Sequence, residues 1–408
     1  MDIWIFNHYA TGPNSSGGTR HYDLARQLVK RGHNVTIFAS SFNHQLLKEE
    51  KSYEEGTYFL KEISEGVNFV WVKTFTYSRN DYKRVLNMLS YTKSVLRVSK
   101  KLDEKPDVVI GSLVHPLAAF AGYMVARDLK CKFVFEERDL WPQTLIDLGK
   151  MSNANPIIKV LARIEKFLFK KADLIIVLFD KAVGYVESKG VTKNKILYLP
   201  NGYDFRRSEN TKELPSDIAA VFKILKNKKI AIYTGAHGLA NNLDIILDSA
   251  KALKNLETND VHFILIGNGP EKERLLKRVE DENIKNVTML NPVKKDFIPT
   301  ILRKCDIGLL PLVESPVFKW GISPNKMFDY MGSSLPVLLL CNLEGTAIEY
   351  SGGGSVIKEN FQYGIVKFLK ETEISELKSM GYKGLNYVEQ NHSWEKLAIK
   401  LENELVKL

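Results

Sequence analysis

At 408 residues the chain is longer than one ordinary hydrophobic core organises, and it predicts two domains. Its 44% hydrophobic and 26% charged content is that of a globular protein, and its longest apolar stretch, Leu117–Ala126, is far short of a membrane span. The formal net charge of +10 asks for an anionic partner; with no nucleic-acid reader motif and no aromatic-rich basic strand pattern, phosphorylated ligands and anionic membrane are expected and nucleic acid is not.

The opening MDIWIFNHYA has no basic leader and reads as a first strand, so no signal peptide and a cytoplasmic location are expected. After the strand Ile3–Phe6 comes NSSGGTRHYDLARQLVKRGHNVTIF, in which Gly17 and Gly18 open a helix and Gly32 closes it before the strand Asn34–Phe38. Two glycines at a helix start let a backbone approach a phosphate closely, although a simple tight turn uses them equally well. A strand at Phe69–Val72 follows. The segment from Arg79 to Lys101 then carries Arg79, Lys83, Arg84, Lys93, Arg97, Lys100 and Lys101 against a single acid, Asp81. It is either a solvated helix face or a surface that rests on anionic lipid.

The strand Asp107–Ile110 leads into GSLVHPLAAFAGY, where His115 stands just before a helix whose first residue is Pro116. A lone histidine is more often structural, but this one falls at a strand's carboxyl end. The strand Lys132–Phe135 is followed by FEERDLWPQTL, which gathers Glu136, Glu137, Arg138, Asp139 and Trp141 in one loop. The plainer account of that loop is a buried Arg138–Asp139 pair beside a packing tryptophan. From Pro156 to Lys171, Lys159, Arg163, Lys166 and Lys170 recur at helical spacing, with Ile157, Leu161, Ile164 and Leu168 as the opposing apolar stripe. Strands at Leu174–Val177 and Ile196–Leu199 complete the first half.

PNGYDF breaks the rhythm, and the alternation restarts with strands at Lys229–Thr234, His262–Ile266, Asn286–Met289, Asp306–Leu309 and Pro336–Leu340. Short strands joined by helices predict parallel, doubly wound sheets, and two such sheets give two Rossmann-like α/β domains facing a cleft, with ligands outside the strands' carboxyl ends. The expected division is 1–200, 201–390, and a helix at 391–408 that packs back on the first domain. IYTGAHGLANNLD puts Gly235, His237 and Gly238 in the first turn of the second half; Gly267-x-Gly269 is a weak signal alone; MLNPV offers bare backbone from Asn291 to Val293, an edge with which a base can pair. SPNKMFDYMG, Ser323–Gly332, reads as a helix capped by Ser323 with Pro324 as its first residue. Its first turn holds Asn325 and Lys326 and no acid, which suits a bound phosphate. Cys131, Cys305 and Cys341 are widely spaced and read as buried thiols, not as disulfides or a metal site.

Through the Gly-Gly loop with RGHNV, PNGYD, IGNGPE and FDYMGSSLPV, the chain resembles the retaining glycosyltransferases of family 4, of GT-B architecture, over essentially its whole length. RDLWP, GAHGLANNLD and SPNKMFDYM bring it near the branch that assembles bacterial O-antigen and capsule, including N-acetyl-L-fucosamine transferases. The resemblance implies a nucleotide-sugar donor, a UDP-sugar carrying an N-acetylated amino or 6-deoxyamino sugar, bound by the second domain. The first domain then takes a polyprenyl-diphosphate-linked acceptor at the inner face of the membrane. It implies no cofactor and no metal, in keeping with the lack of any Asp-x-Asp. Asp329 stands where the family's second conserved acid grips the ribose, while Gly321 stands at the first acid's position and the usual basic clamp after the first strand of the second domain is missing. Gly235, His237, Gly238, Ser323 and Lys326 are the substitutes, His115 matches the family's histidine near the reacting carbon, and Asp139 beside Arg138 is the candidate for orienting the acceptor. Two alternatives stay open: a catalytically silent UDP-sugar-binding component of an assembly complex, and a UDP-sugar 2-epimerase.

Overall fold

The computed structural model describes residues 1–13, 18–44, 46–79, 81–209, 212–255 and 260–408. The chain forms two units: Met1–Pro200 with Pro316–Trp320 and Trp394–Leu408, and Asn201–Ser315 with Gly321–Ser393.

In the first unit the strands are β1 (Asp2–Phe6), β2 (Asn34–Ser40), the short ribbon β3 (Phe42–Asn43) and β4 (Lys48–Glu49), β5 (Phe59–Ser64), β6 (Val67–Val72), β7 (Val108–Leu113), β8 (Lys132–Glu137), β9 (Leu174–Val177) and β10 (Ile196–Tyr198). Eight of them make one sheet in the order β10-β9-β8-β7-β1-β2-β6-β5. Every pairing is parallel except β5 with β6. The inner strands read as unbroken apolar runs because helices cover both faces. β5 escapes the sequence reading because FLKEIS is a half-exposed edge whose middle is charged. The helix Pro116–Leu129 starts at proline, with His115 in extended backbone just before it, so β7 delivers that ring to the sheet's carboxyl edge. The helix Trp394–Leu405 lies on the helix Arg20–Lys30, where Glu402 pairs with Arg31 and with His33. Trp320 joins this unit through its indole N–H, which donates to Asp147 at 3.1 Å, and through an edge-on contact with Tyr185.

The second unit holds β11 (Lys229–Thr234), β12 (Val261–Ile266), β13 (Val287–Leu290), β14 (Ile307–Pro311), β15 (Val337–Leu340) and β16 (Gly354–Ile357), all parallel in the order β13-β12-β11-β14-β15-β16. β16, which is not among the strands expected from the sequence, opens on the last of the glycines 352–354 and forms an edge strand on β15. The helix Asn325–Gly332 crosses β14 at Gly308, where any Cβ would come within 2.4 Å of the Tyr330 ring. Tyr330 is fully buried and its hydroxyl accepts from the Thr234 N–H at 2.8 Å, which ties this helix to the end of β11. Both sheets thus present their carboxyl ends, and the loops after β1, β7, β8, β11, β12 and β13 carry the residues of interest.

Candidate active site

The second unit's site is built on the helix Asn325–Gly332. It begins one residue later than SPNK suggests: Pro324 occupies the cap position, and no side chain caps the first turn. Ser323 is committed elsewhere, its hydroxyl accepting from the Asn201 N–H at 2.9 Å and its carbonyl from the Asn201 amide at 2.5 Å. The Asn-Gly turn at the start of this unit therefore anchors the segment that aims the helix. Lys326, in the first turn, reaches across the turn after β11. Its Nζ donates to the Tyr233 hydroxyl at 2.8 Å and to Asn241 Oδ1 at 3.1 Å, and sits 4.1 Å from the centre of the Tyr233 ring. Gly235, at φ +140°, makes room for it, since a Cβ there would lie 3.0 Å from Nζ. Among the described residues no carboxylate pairs with Lys326, and burial pulls its ammonium down to about 7. Asp329 and Asn325 are half-exposed on the same helix, and Asp329 follows Lys326 at the i, i+3 spacing that shares a face.

His237 is fully buried beneath that turn, and neither ring nitrogen has a partner among the described residues. Its backbone is held on both sides by the next loop: its N–H donates to Asn268 O, and its carbonyl accepts from the Glu271 N–H. Gly267 and Gly269 make this nesting possible, because a Cβ at either would fall 1.8 Å from Gly235 O or 2.4 Å from His237 O. The Gly-x-Gly thus packs two loops together. Burial, with Lys272 and Lys326 nearby, drops the imidazole to about 4, so it is neutral at pH 7. Gly238 precedes the short turn Leu239–Asn241.

Lys272 is a residue that the sequence reading missed. It is buried, and its Nζ donates to Gly267 O (3.0 Å), Leu290 O (3.3 Å) and Asn291 Oδ1 (2.7 Å), joining the ends of β12 and β13. The only hint was a lysine in the first turn after a strand-ending glycine pair. Asn291 and Val293 line an open pocket of about 330 Å³ with Pro215, Asp217, Ile218 and Phe297. Gly321, at the position of the family's first acid, is buried with φ +101°, a conformation costly for any side-chain-bearing residue.

In the first unit, Gly17 lies outside the described residues, and Gly18 is exposed with its carbonyl accepting from the Thr11 hydroxyl. His115 is 1% exposed. Its Nε2 lies 2.7 Å from Nδ1 of His8, a second buried histidine, which stacks between Tyr9 and Tyr91. The two rings share one hydrogen along that line. The outer nitrogens, His115 Nδ1 and His8 Nε2, have no partner among the described residues. Burial lowers both, His115 to about 3, so the pair is neutral and offers one outward donor and one outward acceptor. His8 follows β1 as His115 follows β7, and sequence alone does not reveal that adjacent strands end on a histidine pair.

The loop after β8 is arranged otherwise than as a buried Arg138–Asp139 pair. Asp139 is exposed and Arg138 half-buried. The buried ion is Glu136, which accepts from Arg20 Nε (2.9 Å), His21 Nε2 (2.6 Å) and the Ser112 hydroxyl (2.5 Å). Burial alone would raise this carboxyl; His21 and Arg20 outweigh it and hold it well below the usual range. Arg20 also donates to the carbonyls of Leu199 and Pro200, so one guanidinium fixes the unit's last strand-end. Glu137, next in sequence, is fully buried with one oxygen lacking a partner, and burial with Glu165 nearby pushes its carboxyl well up. Among the described residues no group of three or more His, Cys, Asp or Glu is arranged to hold a metal ion.

Residues 16–202 match the model of the glycosyl transferase 4-like domain and residues 228–360 that of glycosyl transferases group 1. The chain is 20% identical to WcaI of Escherichia coli K12, named for glycosyl transfer in colanic acid biosynthesis, over 71% of each chain. It is 22% identical to the glycosyltransferase WbjE of Pseudomonas aeruginosa, over 78% of this chain and 80% of that one. Among solved structures, sucrose-phosphate synthase of Thermosynechococcus elongatus superposes with a TM-score of 0.74 at 13% identity, covering 100% of this chain and 98% of that chain. Anabaena HepE, in complex with UDP and glucose, gives 0.69 at 13% identity over the full length of both. Two glycosyltransferase domains in tandem, on a fold shared from end to end with such enzymes, place the chain among the GT-B glycosyltransferases.

Proposed function

We propose that the protein is a retaining, metal-independent transferase that moves an N-acetylated amino or 6-deoxyamino sugar from a UDP-sugar to a polyprenyl-diphosphate-linked acceptor. Its place is surface-polysaccharide assembly, of the O-antigen or capsule kind, at the inner face of the membrane. The observation that carries the donor side is the set of polar groups left for an anion in the second unit: Lys326 without a carboxylate, and His237 buried with two unpartnered nitrogens. A diphosphate at the carboxyl ends of β11 and β14 meets Lys326, the Gly235–Gly238 backbone and the open first turn of the Asn325–Gly332 helix. The pocket at Asn291–Val293 is of a size and polarity for the base, and Asp329 is one turn along for the ribose. The UDP and glucose bound to HepE and the colanic acid role in WcaI's name support the donor and the pathway class.

Retention needs no covalent nucleophile from the chain. The enzyme holds the acceptor hydroxyl beside the anomeric carbon on the leaving group's face, and Lys326 with the helix terminus stabilises the charge that develops on the departing diphosphate. In the acceptor-binding first unit, His115 hydrogen-bonds the sugar, Asp139 orients the incoming hydroxyl, and Gly18 with Arg138 meets the acceptor's phosphates. A silent, UDP-sugar-binding role is favoured by Gly321 at the first acid's position and by the missing basic clamp. The test is a screen of nucleotide sugars by thermal shift, followed by a UDP-release assay with a lipid-linked acceptor. A ligand at 100 times its Kd raises stability by about 2.7 kcal/mol. Binding followed by acceptor-dependent UDP release is expected; binding without turnover establishes the silent role, and UDP-sugar consumed without UDP release an epimerase.

A further inference from the structure

The helix Tyr82–Val98 buries Asn87, Tyr91, Val95 and Val98 on one side. Its opposite stripe is not polar throughout. Tyr82 (69% exposed), Val85 (52%), Leu86 (40%) and Leu89 (49%) occupy the first two turns of the outward face, Lys93 and Arg97 continue the same stripe, and Lys100 stands exposed just past the helix's end. The helix itself contains no acid; Asp81 precedes it and is used as its cap, accepting from the Lys83 N–H at 2.8 Å. The stripe, apolar at its start and cationic at its end, groups four exposed apolar side chains within two turns. Ordinary surface helices carry their apolar residues inward.

We propose that this stripe is a membrane-docking face, with Tyr82, Val85, Leu86 and Leu89 entering the headgroup–acyl boundary of an anionic bilayer while Lys93, Arg97 and Lys100 bind its phosphates. The proposal rests on the membrane-peripheral reading above and deepens it: attachment is by insertion as well as by charge. The apolar residues from Tyr82 to Leu89 span eight positions, roughly 10 Å along the axis, and share one face, as in helices that lie in the interface plane with their apolar face sunk roughly 5–10 Å. Charge complementarity selects the partner, because the four basic residues of the helix (Lys83, Arg84, Lys93 and Arg97), with Lys100 and Lys101 just beyond its end and no acid within it, suit an anionic lipid surface and repel a second copy of this chain.

The experiment is sedimentation with vesicles of equal parts phosphatidylglycerol and phosphatidylcholine, and with phosphatidylcholine alone, at low salt and at about 0.5 M salt, where screening has shortened to a few ångströms. The wild type is expected to prefer the anionic vesicles and to keep part of its binding at high salt. Val85→Ser/Leu86→Ser/Leu89→Ser should weaken binding roughly 30-fold or more and leave only a salt-sensitive remainder. Lys93→Ala/Arg97→Ala/Lys100→Ala should lose roughly 10²-fold at low salt and lose the salt dependence with it. Serine and wild-type proteins binding alike overturns the proposal. So does complete release of the wild type by salt, or a wild-type dimer in light scattering that the serine variant dissolves. UDP calorimetry on the same proteins keeps the readings apart: UDP binding lost from the wild type as well sinks the transferase reading and leaves the vesicle result standing.

Discussion

The two units end their strands on opposite kinds of charge. In the first, β8 finishes on two buried acids, and the larger part of the neutralisation is internal: Arg20 and His21 close around Glu136, while Glu137 and Glu165 meet their burial by holding protons. In the second, the charged groups that reach the strand ends are cations, the half-buried Lys326 and the buried Lys272, and among the described residues neither is paired with an acid. Burying a charge costs several kcal/mol, so a fold meets that cost at once or leaves it for a ligand to meet. The first pattern settles the Glu136 charge without a ligand. The second makes a site whose electrostatics are finished by an anion.

Breaking the internally neutralised side should have the largest effect. Arg20→Met strands Glu136 beside His21 alone and should cost about 3–5 kcal/mol in denaturant unfolding. Arg20→Met/Glu136→Leu should recover much of that loss, and a double mutant no better than the single would mean that Arg20 matters only through its bonds to Leu199 and Pro200.

The proton-holding pair gives a pH signature. Burial raises the Glu165 carboxyl from 4.5 to about 7. The unfolded chain gives up this proton near pH 4.5, so the stability it supports is full below that pH. It falls as pH rises, until the folded carboxyl also ionises near 7. Glu165→Gln removes the slope, and should gain roughly 3 kcal/mol on the wild type between pH 5 and pH 8. Parallel pH–stability curves for the two proteins would mean that Glu165 is ionised in the fold, paired with Lys189 at 3.8 Å.

The ligand-dependent side should answer to UDP. Lys326→Met removes a charged hydrogen bond worth about 1.5–3 kcal/mol, and should weaken UDP roughly 10- to 150-fold while hardly touching uridine. A diphosphate raises a lysine that stands at about 7 in the free protein, so UDP should bind with uptake of a fraction of a proton at pH 8 and almost none at pH 6. Calorimetry in buffers of differing ionisation enthalpy measures this directly. Identical heats in all buffers at pH 8 would show that Lys326 is charged before the ligand arrives.

Sequence pattern alone determined the architecture, because apolar β-branched runs alternating with amphipathic segments have few ways to be buried other than parallel sheets between helices. Most strands fall where their runs do, and the lapses are the two-residue ribbon strands β3 and β4 and the edges: β5 carries charge in its middle and β16 opens on the third of three glycines, since an edge needs no continuous apolar run. Short-range chemistry was also legible. Lys326 at an acid-free helix start is visible in ten residues, and so is His115 before its proline. Tertiary structure decided what those residues touch. That Ser323 serves Asn201 and not the helix, that Gly267-x-Gly269 packs a loop and not a phosphate, that His8 partners His115, and that Arg20 finds Glu136 all depend on groups 32 to 122 positions apart brought together by strand order. Hydrophobic periodicity is local and survives in the sequence; the pairing of polar groups is set by which strands lie side by side, and only the folded chain specifies that.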